Sequence, residues 1–227
     1  MATVAEVKMT HSDGRGMSAA VLAGGLSRRM GTPKAMLRVP EHGPTMLERV
    51  VRVVRRCTNQ VMLVGTRESV YPPEVTDVQH VFDAGAGPVG GLIAALRASD
   101  HPNVLVTGCD LPFLSEEVVR LVIERSVESG RGVCPSIPDA TGSESLQPLL
   151  ALYHRDDVEE ITELFKAGEH SLVRIVEALN MAQLRVEKLI AIDAWQWSFF
   201  NVNTTADLDV ARRHAALNER NDNDILE

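Results

Sequence analysis

The segment LAGGLSRRMGTPK, residues 22–34, contains the first residues whose types and spacing could do chemistry. Its glycine pair, Gly24 and Gly25, lets backbone N–H groups turn toward a ligand, and Arg29 and Lys34 add positive charge. Such a loop is suited to hold a chain of phosphates. It is not a Walker A loop, which needs glycine, lysine and serine or threonine in direct succession. The alternative interpretation is a solvated turn that carries surface arginines.

A second glycine-rich segment, VFDAGAGPVGGL, covers residues 81–92. Gly85, Gly87 and Gly90 match the pattern G-x-G-x-x-G after a predicted strand, which is typical of a dinucleotide-dependent oxidoreductase. Asp83 argues against this hypothesis, because its carboxylate would repel a pyrophosphate that arrives at the end of the strand. Asp83 is better suited to accept hydrogen bonds from a base or a sugar. The glycines could also serve only to form a tight turn.

Asp110 follows an apolar strand in VLVTGCDLPFL, residues 104–114. The Leu-Pro pair after it stiffens the turn, so its carboxylate is suited to bind Mg²⁺ that also bridges phosphate oxygens. An isolated aspartate at this kind of position also forms turns and caps helices, and that alternative stays open.

Two asparagines, Asn201 and Asn203, lie in FFNVNTTADL, residues 199–208. In an extended segment their side chains point to the same side, where two amides could contact phosphates or complete a metal shell. The alternative is a turn in which Asn203 or Thr204 caps the following helix.

Other kinds of chemistry lack their residues. The chain contains no H-E-x-x-H and no G-x-S-x-G motif, which excludes the usual zinc hydrolases and serine nucleophiles. The odd number of cysteines, 3, forms no C-x-x-C pair, so we expect core residues rather than disulfides or a structural zinc site.

Charge and hydropathy limit the partners. The formal net charge is −8 and no long basic cluster occurs, which argues against nucleic-acid and membrane-surface partners. No apolar run is long enough to span a membrane, and the first residues lack the hydrophobic region of a signal peptide. These features predict a cytoplasmic protein.

From about residue 18, buried-strand patterns alternate with helical patterns. The alternation predicts an α/β fold with a mostly parallel central sheet and helices on both faces. The 227 residues, 44% of them hydrophobic, can form one large domain, which we place at residues 18–227 after a flexible tail, residues 1–17. All the motifs above follow predicted strands. Because ligands in such sheets bind beyond the carboxyl ends of the strands, the motifs are expected to share one site.

Taken together, these motifs resemble the molybdenum cofactor guanylyltransferase family, which belongs to the nucleotidyltransferases with a Rossmann-like glycosyltransferase-A fold. The resemblance covers residues 18–217 and rests on the order of LAGGLSRRMG, a lysine, an aspartate followed by GPVGG, CDLPFL, QPLLALYH, KAGEHSL and FFNVNT. The resemblance implies the glycosyltransferase-A fold, with a nucleotide-binding half at about residues 18–112 and an acceptor half at about residues 113–227.

For the nucleotide, the resemblance implies that a backbone segment lies against GTP: Leu22, Ala23, Gly24 and Gly25. It further implies that Lys34 binds the phosphates and that Asp83 belongs to the nucleoside site.

For catalysis, the resemblance implies that Asp110 ligates Mg²⁺ and that Arg29 meets the leaving pyrophosphate, with Lys34 as the other catalytic cation. Asn201 and Asn203 would line the acceptor side. The implied reaction transfers GMP from GTP to the terminal phosphate of molybdopterin, and the implied later partners are molybdoenzymes or their chaperones.

Two departures from the family pattern keep alternatives open. Pro33 stands where the family often has aspartate, and proline at this position is also common in cytidylyltransferase relatives. The segment LVGTR lacks an asparagine that several relatives place after the second strand. The double glycine favours guanylyl transfer. The alternatives are a molybdopterin cytidylyltransferase or another nucleotidyltransferase, the oxidoreductase, and a non-catalytic nucleotide-binding partner.

Overall fold

The computed structural model describes residues 16–24, 31–139, 141–185 and 195–224. Within them the strands are β1 (Met17–Leu22), β2 (Gln60–Gly65), β3 (Gln79–Phe82), β4 (Asn103–Gly108), β5 (Val133–Pro138), β6 (Glu144–Leu146), β7 (Leu150–His154) and β8 (Ala182–Arg185). The helices are α1 (Met46–Val54), α2 (Gly87–Ala98), α3 (Glu116–Ser129), α4 (Val158–Lys166), α5 (Leu172–Ala178), α6 (Trp195–Ser198) and α7 (Thr205–Asp224).

These strands form one sheet in the order β3-β2-β1-β4-β7-β5-β6, with β8 paired to β5. The pairs β1–β2, β1–β4, β2–β3 and β5–β8 are parallel. Strand β7 runs antiparallel to β4 and β5, and β6 runs antiparallel to β5. The predicted α/β fold with a mostly parallel sheet is therefore confirmed. The antiparallel strand β6 was not predicted, because its three residues are too few to show an alternating pattern.

Helices cover both faces of the sheet. One face packs against α1 and α3 through buried residues such as Leu47 and Val119, and the other packs against α2 through residues such as Leu92. Successive β1 residues, Val21 and Ala20, belong to opposite cores, as the alternation of side chains in a strand requires. Burial on both faces explains why the strands read as continuous apolar runs.

Local signals fix several helix ends where the sequence indicates them. The Ser115 side chain accepts from the Val118 N–H at 3.3 Å and begins α3, which ends at Gly130 with φ 62°. These are the predicted serine cap and glycine stop.

The first residues need one adjustment. The strand β1 begins at Met17, which is the last residue of the predicted tail. Met17 therefore belongs to the sheet. Residues 1–15 lie outside the described residues, and the tail and the division into two halves stay predictions. No helix among the described residues is both long and apolar enough to cross a membrane.

The order of the strands creates a crevice at the carboxyl ends of β1 and β4. From β1 the chain builds β2 and β3 on one side, and the crossover through α2 then places β4 on the other side of β1. The strand order thus reverses between β1 and β4, since the chain continues from β1 to β2 on one side and from β4 towards β5 on the other. In open α/β sheets this switch point is where ligands bind.

The C-terminal helix α7 packs beside this crevice rather than on either face of the sheet. Buried residues of α7, Leu208 and Ala211, pack against Met46 of α1 and Val39. Nearby, the His214 ring stacks on Trp197 with centroids 3.4 Å apart.

The partly buried position of His214 predicts a pH-dependent stability. Burial lowers the pKa of His214 below its ordinary value of 6.5, so the unfolded chain takes up this proton first as the pH falls. We therefore expect the free energy of unfolding to decrease as the pH falls below about 6.5. His214→Phe, which keeps a stacking ring but does not titrate, should lose less stability between pH 7.5 and pH 5 in urea denaturation.

The exposed His42 provides the matched control. His42→Gln should retain the wild-type pH dependence. An identical pH dependence in His214→Phe and the wild type would contradict the assignment to His214.

Candidate active site

A cavity of about 480 Å³ opens at the carboxyl ends of the first four strands. Five of the predicted site residues line it, namely Leu22, Gly24, Lys34, Asp83 and Asp110. Its other lining residues are Val64, Thr66, Gly85, Gly87, Pro88, Gly91, Gly108, Cys109 and Leu149. The structure therefore brings together residues that are far apart in sequence, as the strand-end argument predicts.

The loop after β1 passes very close to the end of β2, at Gly24 and Gly65. A Cβ on Gly24 would lie 2.9 Å from the Cα of Gly65, which no real side chain tolerates. Beside it, the Ala23 N–H donates to the Val64 carbonyl at 2.8 Å, so the loop after β1 continues along β2. Ala23 itself is buried and does not line the cavity, whereas its neighbours Leu22 and Gly24 do.

The loop after β3 presents a fixed carboxylate and a helix N-terminus. The Gly85 N–H donates to Asp83 Oδ1 at 2.7 Å, and Gly85 and Gly87 have φ of 71° and 75°. Glycine is favoured at both positions because their backbone is left-handed. Directly after this turn, Gly87 and Pro88 of the first turn of α2 line the cavity. The positive end of the helix dipole thus faces the cavity, which favours an anion there.

The glycine pattern of this loop does not occupy the position that a dinucleotide fold requires. In such folds the glycine loop follows a strand at the switch point, whereas β3 lies at the edge of the sheet. The switch point is occupied by the loops after β1 and β4. This placement disfavours the oxidoreductase hypothesis.

Lys34, Asp110 and Asn203 form a polar cluster at the cavity. Lys34 Nζ donates to Asp110 Oδ2 at 3.0 Å and to Asn203 Oδ1 at 2.6 Å. The Lys34 and Asp110 side chains are only 21% and 16% exposed. A partly buried ion pair is less screened by salt than a surface pair, so the cluster keeps a strong local field.

The second oxygen of Asp110 fits a cation. Asp110 Oδ1 is buried and lacks a hydrogen-bond partner in the described part of the chain. It lies against Gly108, where an added Cβ would come within 2.4 Å of it. An unpaired buried carboxylate oxygen is costly, and Mg²⁺ commonly binds one or two carboxylates together with substrate phosphates. Groups of three or more acidic, histidine or cysteine ligands are absent from the described residues, so other oxygen ligands, such as substrate phosphates and water, would complete the shell.

Cys109 lines the same cavity but is poorly suited to act as a nucleophile. Burial, with a smaller contribution from the negative charge of Asp110, raises the pKa of the Cys109 thiol to about 12. The thiol therefore stays protonated near neutral pH, and the thiolate is the reactive form. All three cysteines are buried and free, which confirms their prediction as core residues.

The two asparagines have different surroundings. Asn203 joins the Lys34 cluster, whereas Asn201 Nδ2 donates to the Phe199 carbonyl at 3.1 Å. Helix α7 is capped by Thr204, whose side chain accepts from the Asp207 N–H at 3.2 Å. The helix therefore does not require the Asn203 side chain as its cap. Of the two residues considered as the cap, it is Thr204 that caps the helix.

Some predicted residues cannot be placed, and some lining residues were not predicted. Gly25 and Arg29 lie outside the described residues, so their roles stay predictions. Thr66 and Leu149 line the cavity without having been assigned to the site. Thr66 directly follows β2, so its strand-end position could have indicated it. Leu149 precedes the antiparallel strand β7, and only the tertiary structure reveals its location.

Comparisons with known proteins agree with this geometry. Residues 19–184 match the family model of the MobA-like NTP transferase domain. A protein of Pelotomaculum thermopropionicum named "Probable molybdenum cofactor guanylyltransferase" is 33% identical over 85% of this chain and 90% of its own length. A protein of the same name from Chloroflexus aggregans is 31% identical over 87% of this chain and 94% of its own length.

Solved structures share the fold. Molybdopterin-guanine dinucleotide biosynthesis protein A from Archaeoglobus fulgidus superposes with a TM-score of 0.72 and 26% identity over 88% of this chain and 99% of that one. The 2-C-methyl-D-erythritol 4-phosphate cytidylyltransferase of Thermus thermophilus, at 20% identity and a TM-score of 0.67, covers 87% of this chain and 98% of its own; it shows the fold alone. The family match spans the loops that form the cavity after β1, β2, β3 and β4, and so the chain belongs to the MobA-like NTP transferase family of nucleotidyltransferases.

Proposed function

We propose that this protein transfers GMP from GTP to the terminal phosphate of molybdopterin and releases pyrophosphate. The observation that carries the proposal is the cluster of Lys34, Asp110 and Asn203 beside a cavity at the switch point of the sheet. It combines a cation with a carboxylate that has one unpaired oxygen. The names of the curated relatives support the choice of GTP and molybdopterin.

This chemistry does not need a general base. The attacking phosphate is already largely ionised near neutral pH, and its oxygen forms the new bond to the α-phosphorus of GTP. The bond from that phosphorus to its bridging oxygen breaks, and pyrophosphate leaves with the electron pair. What the protein must provide is position and neutralisation of charge. This requirement agrees with a cavity whose cysteine thiol is protonated.

We place the nucleotide along the lining of the cavity. Its phosphates lie near Lys34, where an ammonium favours negative charge. The base or sugar lies near Asp83, whose Oδ1 accepts from Gly85 and whose Oδ2 is near Gly91. This arrangement keeps Asp83 away from the phosphates, which its negative charge would repel.

Asp110 would hold Mg²⁺ at this site, and Asn203 lies close enough to Lys34 to belong to the same cluster. When bound, Mg²⁺ would neutralise phosphate charge and orient the in-line displacement. The Lys34 ammonium lies beside the same carboxylate, so the chain itself supplies one of the positive charges that neutralise the phosphates. Arg29 at the leaving pyrophosphate and Asn201 on the acceptor side complete the proposed roles.

The proposal is tested by pyrophosphate release from GTP, CTP and ATP with Mg²⁺, each with and without molybdopterin. We expect release from GTP only, and only when molybdopterin is present, because the acceptor phosphate is the nucleophile. Release from CTP instead would assign the protein to cytidylyl transfer. Binding of GTP without release from any nucleotide would leave the non-catalytic binding protein.

The wider assignments stay predictions. They are a cytoplasmic location, transfer of the product to a molybdoenzyme or its chaperone, and the absence of nucleic-acid and membrane partners.

A further inference from the structure

Arg49 connects the two loops that carry Lys34 and Asp110. Its Nε donates to the Pro112 carbonyl at 2.7 Å, and its Nη1 donates to the Val39 carbonyl at 3.0 Å. Arg49 lies on α1 and lines no part of the cavity described above. It therefore touches the backbone of both loops without lining the cavity.

The two carbonyls belong to the same short segments as Lys34 and Asp110. Pro112 follows Asp110 on the stiff Leu-Pro turn. On the other side, Lys34 starts a short 3-10 helix, and the Leu37 carbonyl at its end accepts from the Met46 N–H at 2.8 Å. A shift of either carbonyl relative to Arg49 would therefore move one member of the Lys34–Asp110 pair relative to the other.

A guanidinium suits this position better than an ammonium. Its planar group donates in two fixed directions to two separate segments, and its carbon Cζ lies 5.6 Å from the ring centroid of Phe113. Phe113 in turn packs edge-on against His214 of α7, with ring centroids 4.8 Å apart. Arg49 thus also connects these loops to the C-terminal helix, near which Asn203 lies.

We propose that Arg49 is a positioning residue that sets the distance between Lys34 and Asp110 by bridging the Val39 and Pro112 carbonyls. The inference rests on the proposed function for its effect on transfer, but its effect on binding of a metal-nucleotide complex is separate from turnover. Small displacements matter here, since a misplacement of about 1 Å can lower a rate about 10²-fold.

The experiment compares the wild type with Arg49→Met, Arg49→Lys and the control Arg52→Met. Arg52 is exposed on the same helix, one turn further along, so its variant makes the same change of charge and shape away from the two carbonyls. Thermal melting establishes that each variant folds. Electron paramagnetic resonance of Mn²⁺ then gives the affinity for Mn²⁺ in the presence of GTP, and pyrophosphate release with molybdopterin gives kcat and KM.

We expect Arg49→Met to bind Mn²⁺ with GTP about tenfold more weakly and to lose about 10²-fold in kcat, because both loops lose their shared donor. Arg49→Lys, whose single ammonium replaces the two fixed donor directions of the guanidinium, should be impaired in the same direction, while Arg52→Met should match the wild type. If Arg49→Met fails to fold, Arg49→Lys carries the test.

Wild-type Mn²⁺ affinity and kcat in a folded Arg49→Lys or Arg49→Met protein would overturn the proposal, even if its melting temperature is lower. If the wild type releases no pyrophosphate but binds Mn²⁺ with GTP, the proposed function fails by itself. A weaker affinity in Arg49→Met would then still support the positioning role.

Discussion

Asp110→Ala is expected to abolish guanylyl transfer in a protein that remains folded. The substitution removes both carboxylate oxygens, one of which accepts from Lys34 at 3.0 Å, while the other is buried and unpaired among the described residues. Without this carboxylate the site loses its proposed contact with Mg²⁺, and Lys34 loses one of the groups that orient it. Asp110→Asn, which keeps the shape but not the charge, should lower kcat by about 10²- to 10³-fold.

Asp100 provides a control at the opposite end of the same strand. It lies just before β4, is exposed, and accepts from Gln60 Nε2 at 2.8 Å. Asp100→Asn should leave pyrophosphate release unchanged, which separates a general loss of acidic charge from the effect at the site. Unimpaired transfer by purified, folded Asp110→Ala protein would disprove the metal assignment.

Lys34→Ala is expected to lower kcat/KM for GTP by about 10²-fold or more. The ammonium contacts both Asp110 and Asn203, so its removal takes away the cation proposed to bind the phosphates and leaves two polar groups without their shared donor. Because phosphate charge is present in the bound substrate as well as in the transition state, we expect a higher KM together with a lower kcat. Lys34→Arg should recover only part of the activity, since a planar fork does not replace a compact ammonium.

Lys166 offers the matched control for Lys34. It is a surface lysine at the end of α4, 65% exposed and paired with Glu163 at 2.7 Å. Lys166→Ala should keep the wild-type kinetics for GTP. Wild-type kcat/KM in a folded Lys34→Ala protein would remove Lys34 from the catalytic site.

Much of the fold could be predicted because its signals are local. The apolar strand β1 and the helix α3 with Ser115 and Gly130 at its ends each show their pattern within a few residues. No local pattern indicates the direction of β7. Its residues, Leu150–His154, are as apolar as those of a parallel strand, and only its pairing with β4 makes it antiparallel.

The candidate site was predicted in outline for a similar reason. Asp83 and Asp110 follow strands, and parallel strands that end at one edge bring such residues together. The sequence did not separate Asn203 from Asn201, since their types and spacing are alike and only the tertiary contacts with Lys34 and Phe199 distinguish them.

The glycine pattern around Gly85 shows the limit of a motif. Its spacing matches a dinucleotide loop, but the position of β3 at the edge of the sheet decides against that role. A motif specifies the local shape of the backbone, whereas its function depends on which strand of the sheet precedes it.

The sequence by itself determined the class of this protein: an α/β fold, glycine turns after its strands, and the acidic and basic residues available for phosphate chemistry. Those properties depend on residue type and on neighbours within a few positions. The tertiary structure decided which of these residues meet. The 3.0 Å contact between Lys34 and Asp110 and the hydrogen bond that Arg49 donates to Pro112 join residues that are distant in the chain. Such contacts depend on the strand order and on the packing of α1, which no local pattern encodes.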